Sequence, residues 1–167
     1  DGCLHPEKVK GKYFLFHRVN NYICGDFGDT IEFKEKNNFQ NIPIILPRPG
    51  MWDGVKVGMS VPPIKTEKGW ILIYHGVSAR SRYRVGAVLL DLDDPTKVLS
   101  RTTDAIFEPA EAYEIEGQVN YVVFPCGAVV KDGIVYMYYG GADSVVDVAA
   151  IPLQKILNTD KGAGMRR

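Results

Sequence analysis

The chain contains three copies of a pattern in which a glycine opens a hydrophobic and aromatic run that ends in a histidine or a tyrosine. The copies are Gly11-Lys-Tyr-Phe-Leu-Phe-His17, Gly69-Trp-Ile-Leu-Ile-Tyr-His75 and Gly133-Ile-Val-Tyr-Met-Tyr-Tyr139. They begin about 58 and then 64 residues apart along the sequence. Each glycine closes a turn, and each run is followed by a second strand-like segment. The pattern therefore predicts antiparallel sheets that repeat along the chain.

Sheets repeated at this period are typical of β-propellers, so we predict an all-β fold in which each sheet is one blade. The inner strands and loops around the axis then form the functional surface. Propellers have about four to eight blades, and three do not close a ring. We therefore expect the chain to supply about three blades of a longer protein whose missing part lies upstream. Residues 1–157 are predicted to form this partial domain, and residues 158–167 a tail.

Charge and cysteine content exclude several classes of partner. The 20 basic and 20 acidic residues cancel, so no global field attracts nucleic acid or an anionic membrane. No run reaches the roughly 18 apolar residues of a membrane helix. Cys3, Cys24 and Cys126 lack metal-ligand spacing, which favours reduced, buried thiols and a cytoplasmic location. No His, Asp and Glu cluster has metal-ligand spacing either, so no metal is predicted.

Strand signals dominate the chain, because most segments are rich in β-branched and aromatic residues. The predicted strands are Lys12–Arg18, Tyr22–Cys24, Ile42–Leu46, Trp70–His75, Tyr83–Leu92, Lys97–Arg101, Gly127–Val130, Ile134–Tyr139 and Val145–Ile151. Only Leu153–Leu157 has helical spacing, which predicts a short terminal turn.

Three segments between the strands are predicted to be loops. The acidic stretch Phe107–Gly117 is predicted to be a solvated loop, and Lys34–Asn41 a loop after the first hairpin. The third, Val77–Arg82, joins two strands and carries Arg80 and Arg82, with Arg84 just beyond. These arginines either converge on an anionic ligand or lie at an exposed hairpin tip.

Several separate strings, in the same order, resemble glycoside hydrolase family 130. They are Lys65-Thr-Glu-Lys-Gly-Trp-Ile-Leu-Ile-Tyr-His-Gly-Val77, Tyr83-Arg-Val-Gly-Ala-Val-Leu-Leu-Asp-Leu-Asp-Asp-Pro95, Val122-Val-Phe-Pro-Cys-Gly127 and Tyr138-Tyr-Gly-Gly-Ala-Asp143. His5-Pro-Glu-Lys8 and the strand leading to His17-Arg18 also look like that family. The likeness extends to about Leu157.

The resemblance implies a five-bladed β-propeller and a β-mannoside phosphorylase, an enzyme that transfers a mannosyl group to inorganic phosphate with inversion, giving α-mannose 1-phosphate. In the family one Asp is the general acid, so a single catalytic carboxylate suffices. That Asp, and the Arg and Lys that help to hold phosphate, are expected upstream of this chain. We therefore expect no catalytic residue here and no turnover by the chain alone. Phosphate is a co-substrate, and no cofactor is implied.

By resemblance, five residues belong to the binding site. His75 matches the phosphate-contacting histidine. His5 and Asp143 match sugar-contacting positions, and Tyr83 and Phe124 match aromatic positions that stack on sugar rings. Each also has a structural interpretation, as a hydrogen-bonded histidine, a turn aspartate or inter-blade packing.

Three further residues are assigned more weakly. His17 occupies the position equivalent to His75 and is a candidate only. Trp52 and Trp70 are assigned to the core or to contacts between blades, because Trp70 shares a strand face with Tyr74 and not with Ile71.

Two alternatives to phosphorolysis remain open. One is a β-mannoside hydrolase on the same scaffold, and the other is a noncatalytic carbohydrate-binding propeller. The segment Val57-Gly-Met-Ser-Val-Pro-Pro63 departs from the Gly- and Pro-rich entry of many phosphorylases, so the acceptor sugar stays open. The expected partners are an oligosaccharide and phosphate, and a homo-oligomer is neither required nor excluded.

Overall fold

A computed structural model describes residues 1–33 and 39–158 and shows three antiparallel sheets. The first contains β1 (Gly2–Leu4), β2 (Tyr13–Val19), β3 (Tyr22–Gly28) and β4 (Ile42–Ile45) in that order. Most of the predicted loop at Lys34–Asn41, and the predicted tail beyond residue 158, lie outside the described residues.

The second sheet is built around β7 (Gly69–Val77), which pairs on one side with β5 (Lys56–Gly58) and β6 (Ile64–Thr66). On its other side β7 pairs with β8 (Tyr83–Leu90), which pairs with β9 (Val98–Arg101). The third sheet has the order β10 (Val123–Lys131), β11 (Ile134–Gly141) and β12 (Val145–Pro152). Two short helices, α1 (Ala112–Ile115) and α2 (Leu153–Leu157), complete the described elements.

The three glycine-led repeats become β2, β7 and β11, and each of these strands is the second in its sheet. The glycines that open them, Gly11, Gly69 and Gly133, all have positive φ angles, of 82°, 147° and 74°. A side chain is disfavoured in this backbone region, which is why glycine recurs there. The predicted all-β class is confirmed, whereas the five-bladed ring remains a prediction.

Two hydrophobic clusters join the sheets, and β7 contributes to both. Trp70, Leu72 and Tyr74 pack toward the first sheet, whereas Ile71 and Ile73 pack toward the third. This alternation follows from the two-residue period of a strand. All nine residues of β7 are buried as a result. The core assignment of Trp70 is confirmed, and Trp52 packs against the same cluster partly buried.

The prediction that Phe107–Gly117 is a solvated loop is wrong. The segment contains α1, and the side chain of Glu114 is fully buried. Its carboxylate accepts hydrogen bonds from the Tyr139 hydroxyl (2.7 Å) and from the backbone amides of Ala110 and Glu111 (2.8 and 2.9 Å). Buried carboxylates are tolerated when they are satisfied in this way. The acidic segment is therefore attached to the third sheet.

The structure also differs from the sequence-based predictions at one cysteine and at several strand ends. Cys3 and Cys24 are buried, as expected, but Cys126 is exposed. Burial raises the pKa of Cys3 to about 12 and that of Cys24 to about 11, so both thiols are protonated at neutral pH. Strands β3 and β10 are longer than predicted, β8 ends two residues earlier, and β1, β5 and β6 were not predicted.

Candidate functional site

His75 lies near the end of β7 with only 1% of its surface exposed. As an odd-numbered residue of that strand, it points toward the third sheet. Its ring centroid lies 4.4 Å from that of Phe124, at the start of β10, and 5.8 Å from that of Tyr83 in β8. Both aromatic rings are only partly buried. The fold thus brings together three of the five predicted site residues.

Charged groups surround this histidine on its polar side. The Nε2 atom lies 3.7 Å from Oδ2 of Asp1, and the same carboxylate oxygen lies 2.6 Å from Nε of Arg18. The Lys56 ammonium donates a hydrogen bond to the Tyr83 hydroxyl at 2.9 Å. Asp1, Arg18 and Lys56 were not predicted as site residues. Asp1 precedes β1, Arg18 lies in β2 and Lys56 lies in β5. The pairing of β5 with β7 and the packing of the first sheet against the second bring them near His75.

The environment keeps the His75 imidazole neutral. Burial is the main cause that lowers its pKa, to about 3, and the positive charges of Lys56 and Arg18 lower it further. A neutral imidazole donates one hydrogen bond and accepts another. Its buried Nδ1 has no hydrogen-bond partner among the described residues. The ring therefore retains unused hydrogen-bonding capacity.

Gly58 lies against His75 and Asp1 at a position where a side chain would not fit. A Cβ atom at this position would overlap Oδ2 of Asp1 and would lie 2.7 Å from both Cε1 and Nε2 of His75. The strand β5 pairs Gly58 directly with His75 in the register. Any larger residue would therefore displace the ring or the carboxylate.

His5 lies at the other end of β7 and is not brought together with His75. Its ring packs edge-on against Trp70, with centroids 4.2 Å apart, and its Nδ1 atom contacts the backbone carbonyl of Glu7 at 2.7 Å. Trp70 and His75 are five residues apart on one strand, which corresponds to roughly 16 Å. The sugar-contacting role of His5 stays a prediction, and these contacts are those of a core histidine.

Asp143 lies in the turn between β11 and β12 and is exposed. Its φ angle of 52° is in the left-handed region, which aspartate tolerates in turns. Gly140, close to this turn, pairs with Phe124, so Asp143 lies at the Phe124 end of the third sheet. No hydrogen bond links the carboxylate to His75, Tyr83 or Phe124 within residues 1–33 and 39–158. Its sugar-contacting role also stays a prediction.

His17 forms a separate cluster with Asp26 and Cys24. Its Nε2 lies 2.7 Å from Oδ2 of Asp26, and the Cys24 sulfur lies 3.4 Å from the same nitrogen. A nucleophilic cysteine needs a lowered thiol pKa, whereas the Cys24 pKa is raised. Asp26 also accepts hydrogen bonds from the backbone amides of Gln40 and Asn41. This cluster therefore anchors the chain before β4.

The described residues contain neither a candidate metal site nor a candidate membrane-spanning helix. No group of three or more His, Cys, Asp and Glu side chains there could hold a metal ion. Nor does any helix in the described ranges have the length and apolar character that crossing a membrane requires.

The chain is similar in sequence and in structure to several known proteins. The chain is 46% identical over 156 residues to a 1,2-beta-oligomannan phosphorylase of Thermoanaerobacter sp. (strain X514), covering 93% of this chain and 51% of that protein. The solved structure of a beta-1,2-mannobiose phosphorylase from Listeria innocua in complex with beta-1,2-mannobiose superposes with a TM-score of 0.81 at 38% identity. That match covers 95% of this chain and 46% of the solved chain.

The description of a third similar structure refers to hydrolases. It is described with the statement that the mannoside phosphorylases of glycoside hydrolase family 130 contain hydrolases that target beta-1,2 mannosidic linkages in Candida mannan. It superposes with a TM-score of 0.77 at 26% identity, covering 93% of this chain and 49% of that one. The present chain spans about half the length of the curated relatives that it matches.

The sequence model of one family matches almost the whole chain, from residue 1 to residue 161. Together with identities of 46% and 38% to two mannoside phosphorylases, this match settles the family. The chain belongs to glycoside hydrolase family 130, the family described as beta-1,4-mannooligosaccharide phosphorylase.

Proposed function

We propose that the protein containing this chain cleaves β-mannosidic bonds with inorganic phosphate. The observation that carries this proposal is His75, a buried neutral imidazole with an unpartnered nitrogen beside Arg18, Lys56 and two aromatic rings. The mannoside phosphorylases among the relatives support it. The chain supplies one part of the site, because it spans about half of these relatives.

Phosphate binding is assigned to the polar side of His75. The imidazole donates one hydrogen bond to a phosphate oxygen, and Arg18 and Lys56 contribute positive charge. The Asp1 carboxylate already lies between Arg18 and His75, so an oxyanion is compatible with this environment. We propose that phosphate binds next to this carboxylate and that the two cations offset most of the combined negative charge. Interactions of this kind are stronger where water is excluded.

The proposed reaction is an inverting displacement. A phosphate oxygen attacks the anomeric carbon, the bond to the leaving sugar oxygen breaks, and an aspartic acid outside this chain supplies the proton to that oxygen. The products are α-mannose 1-phosphate and the shortened acceptor sugar. Phosphate takes the place of the activated water of an inverting hydrolase, so one catalytic carboxylate is enough.

Tyr83 and Phe124 are assigned to the mannosyl group. Their partly exposed rings lie 6.4 Å apart, between centroids, and present apolar faces on which the C–H side of a pyranose can pack. Asp143, exposed at the same end of the third sheet, is assigned to accept hydroxyl hydrogen bonds.

The test is the phosphate dependence of cleavage in the full-length protein. β-1,2- and β-1,4-mannobiose are incubated with and without phosphate, and the product is identified by phosphorus and proton NMR. We expect α-mannose 1-phosphate to form only with phosphate. His75→Gln should raise the KM for phosphate on the order of tenfold or more, because the flexible glutamine amide does not hold its N–H at the position of the buried ring nitrogen and the hydrogen bond to the anion is weakened.

A matched control uses a buried polar residue away from this site. Thr102, whose hydroxyl accepts a hydrogen bond from the Ala87 amide, is replaced by valine. T102V should leave the KM for phosphate unchanged. An unchanged phosphate KM in H75Q, or formation of the β-phosphate, contradicts the proposal.

A hydrolase is the second candidate, because the description of a structural relative states that the family of mannoside phosphorylases contains glycoside hydrolases. In that case water replaces phosphate, and a second carboxylate acts as the base. Release of free mannose at an equal rate with and without phosphate would identify this reaction.

A further inference from the structure

A cavity of about 360 Å³ lies on the other face of β7 from His75. Its walls are the loop around Trp52, which precedes β5, and the hairpin between β7 and β8. Three arginines line it, namely Arg80, Arg82 and Arg84. The volume is within the usual range for small-ligand sites. Arg80 and Arg82 of the hairpin and Arg84 of β8 thus line one cavity, and Arg80 is also exposed.

The cavity is distinct from the His75 site. The Trp52 ring stacks on Tyr74, with centroids 5.6 Å apart, and Tyr74 belongs to the face of β7 that packs toward the first sheet. His75 points to the opposite face, toward Phe124. A ligand in the cavity therefore has no direct contact with the His75 ring.

The charge of the lining is strongly positive. Arg80 is exposed and makes no hydrogen bond or ion pair in the part of the chain that the structure describes. Arg82 lies over the Tyr121 ring at 4.5 Å from its centroid. Arg84 pairs with the exposed carboxylate of Glu108 at 2.9 Å. The lining contains no carboxylate, although the chain as a whole has no net charge.

The walls are held in place before any ligand arrives. Asp53, next to Trp52 and fully buried, accepts hydrogen bonds from Tyr74 (2.8 Å), Arg48 (2.8 Å) and Arg101 (2.6 Å). The Trp52 indole donates to the backbone carbonyl of Thr103 at 2.9 Å. Such contacts fix side chains in one geometry, which reduces the entropic cost of binding.

We infer that this cavity binds an anionic carbohydrate, a sugar that carries a phosphate or carboxylate group. Guanidinium groups pair with both oxyanions through charge-assisted hydrogen bonds. The Trp52 ring provides an apolar surface for the sugar. The inference does not depend on the proposed phosphorolysis, because it concerns binding on the other face of β7.

The experiment measures binding to the full-length protein by calorimetry. The probes are mannose 6-phosphate, glucuronic acid, neutral mannose and inorganic phosphate. We expect at least one of the two acidic sugars to bind, and at least tenfold more tightly than both mannose and inorganic phosphate. Comparing mannose 6-phosphate with glucuronic acid then distinguishes a phosphate from a carboxylate ligand.

Variants locate the site. R80Q/R82Q should weaken binding of the acidic sugar at least tenfold, because two charged donors are lost. K68Q/K131Q removes two exposed positive charges outside the cavity, one from the turn before β7 and one from the end of β10, and should leave affinity unchanged. Thermal melting confirms that each variant is folded.

Three outcomes overturn the inference. They are unchanged affinity in R80Q/R82Q, equal affinity for mannose or inorganic phosphate, and loss of acidic-sugar binding in H75Q with retention in R80Q/R82Q. The last outcome would place the ligand at His75, whereas failure of the phosphorolysis assay alone leaves the inference standing.

Discussion

The two ends of β7 hold buried histidines in very different surroundings. Both His5 and His75 have one buried ring nitrogen without a hydrogen-bond partner among residues 1–33 and 39–158, and both contact a large aromatic ring. At the His5 end the polar contact is a backbone carbonyl, and the nearby Glu7 carboxylate is paired with the Lys65 ammonium at 2.8 Å. At the His75 end the neighbours are a carboxylate and two cations. Burial and aromatic contact are therefore common to both ends, and the charges distinguish a candidate phosphate site.

The largest effect is expected from removing the charges at the His75 end. R18M/K56M should raise the KM for phosphate on the order of 100-fold, since two charged interactions with the anion are lost. The matched variant at the other end is K8M/K65M, which removes cations that lie over Tyr13 and Trp70. Steady-state kinetics over a range of phosphate concentrations should show no change for it. Equal effects in the two variants would contradict the comparison.

Crowding the His75 end should have the next largest effect. G58A places a methyl group against His75 and Asp1, so we expect about a tenfold loss of kcat/KM and about 1–3 kcal/mol of destabilisation. In G127A nothing lies within 4 Å of the added atom, and no comparable change is expected. Activity assays and urea unfolding provide both readouts. A G58A protein as active and stable as the parent would show that the ring has room to move.

The pH dependence of stability should separate the two histidines. The pKa of His75 falls from 6.5 to about 3 on folding, so the unfolded chain binds more protons between these values. Stability from this group is complete above pH 6.5 and is lost as the pH falls toward 3. Between pH 7 and pH 5 the loss is about 2 kcal/mol.

Urea unfolding at the two pH values tests this effect. H75Q should remove that part of the decline. Burial also lowers the pKa of His5, so H5Q should change the slope in the same direction. A decline in H75Q equal to that of the parent would show that His75 is protonated in the folded state.

The smallest effect concerns the aromatic rings. F124L should raise the KM for the mannoside a few-fold, because a ring contact contributes about 0.5–1.5 kcal/mol beyond its buried area. W70F at the opposite end should lower thermal stability and leave this KM unchanged, since Trp70 is 2% exposed and packs in the core. A KM change in W70F equal to that in F124L would mean that neither effect is local.

Local patterns in the sequence predicted the central strands but not their surroundings. The glycine-led runs identified β2, β7 and β11, because positive φ angles and alternating burial depend on residues that are adjacent in the sequence. The short strands β5 and β6 are separated by the Pro62-Pro63 segment, which conceals their common pairing with β7. Short, proline-interrupted segments of this kind carry a weak strand signal.

The residues of the candidate site were likewise predicted only in part. His75, Tyr83 and Phe124 were found through the family resemblance, and the structure places them side by side. Arg18 and Lys56 could not be found by local patterns, because Lys56 approaches His75 through the pairing of β5 with β7 and Arg18 through packing between two sheets. The wrong prediction for the segment around Glu114 has the same cause, a contact between residues that are distant in the sequence. The partner of Glu114, Tyr139, is 25 residues away in the chain, and without that hydroxyl an acidic segment is indistinguishable from a solvated loop.

The complete burial of β7 between two hydrophobic clusters has a consequence for dynamics. Amide hydrogens in such a strand are released to solvent only when both neighbouring sheets separate, so β7 should be among the last segments to exchange with deuterium. His75 belongs to this slowly opening unit, whereas Arg80 lies on an exposed hairpin beyond it. One strand thus carries a slowly exchanging residue, His75, and two residues later leads into an exposed hairpin whose amides should exchange earlier.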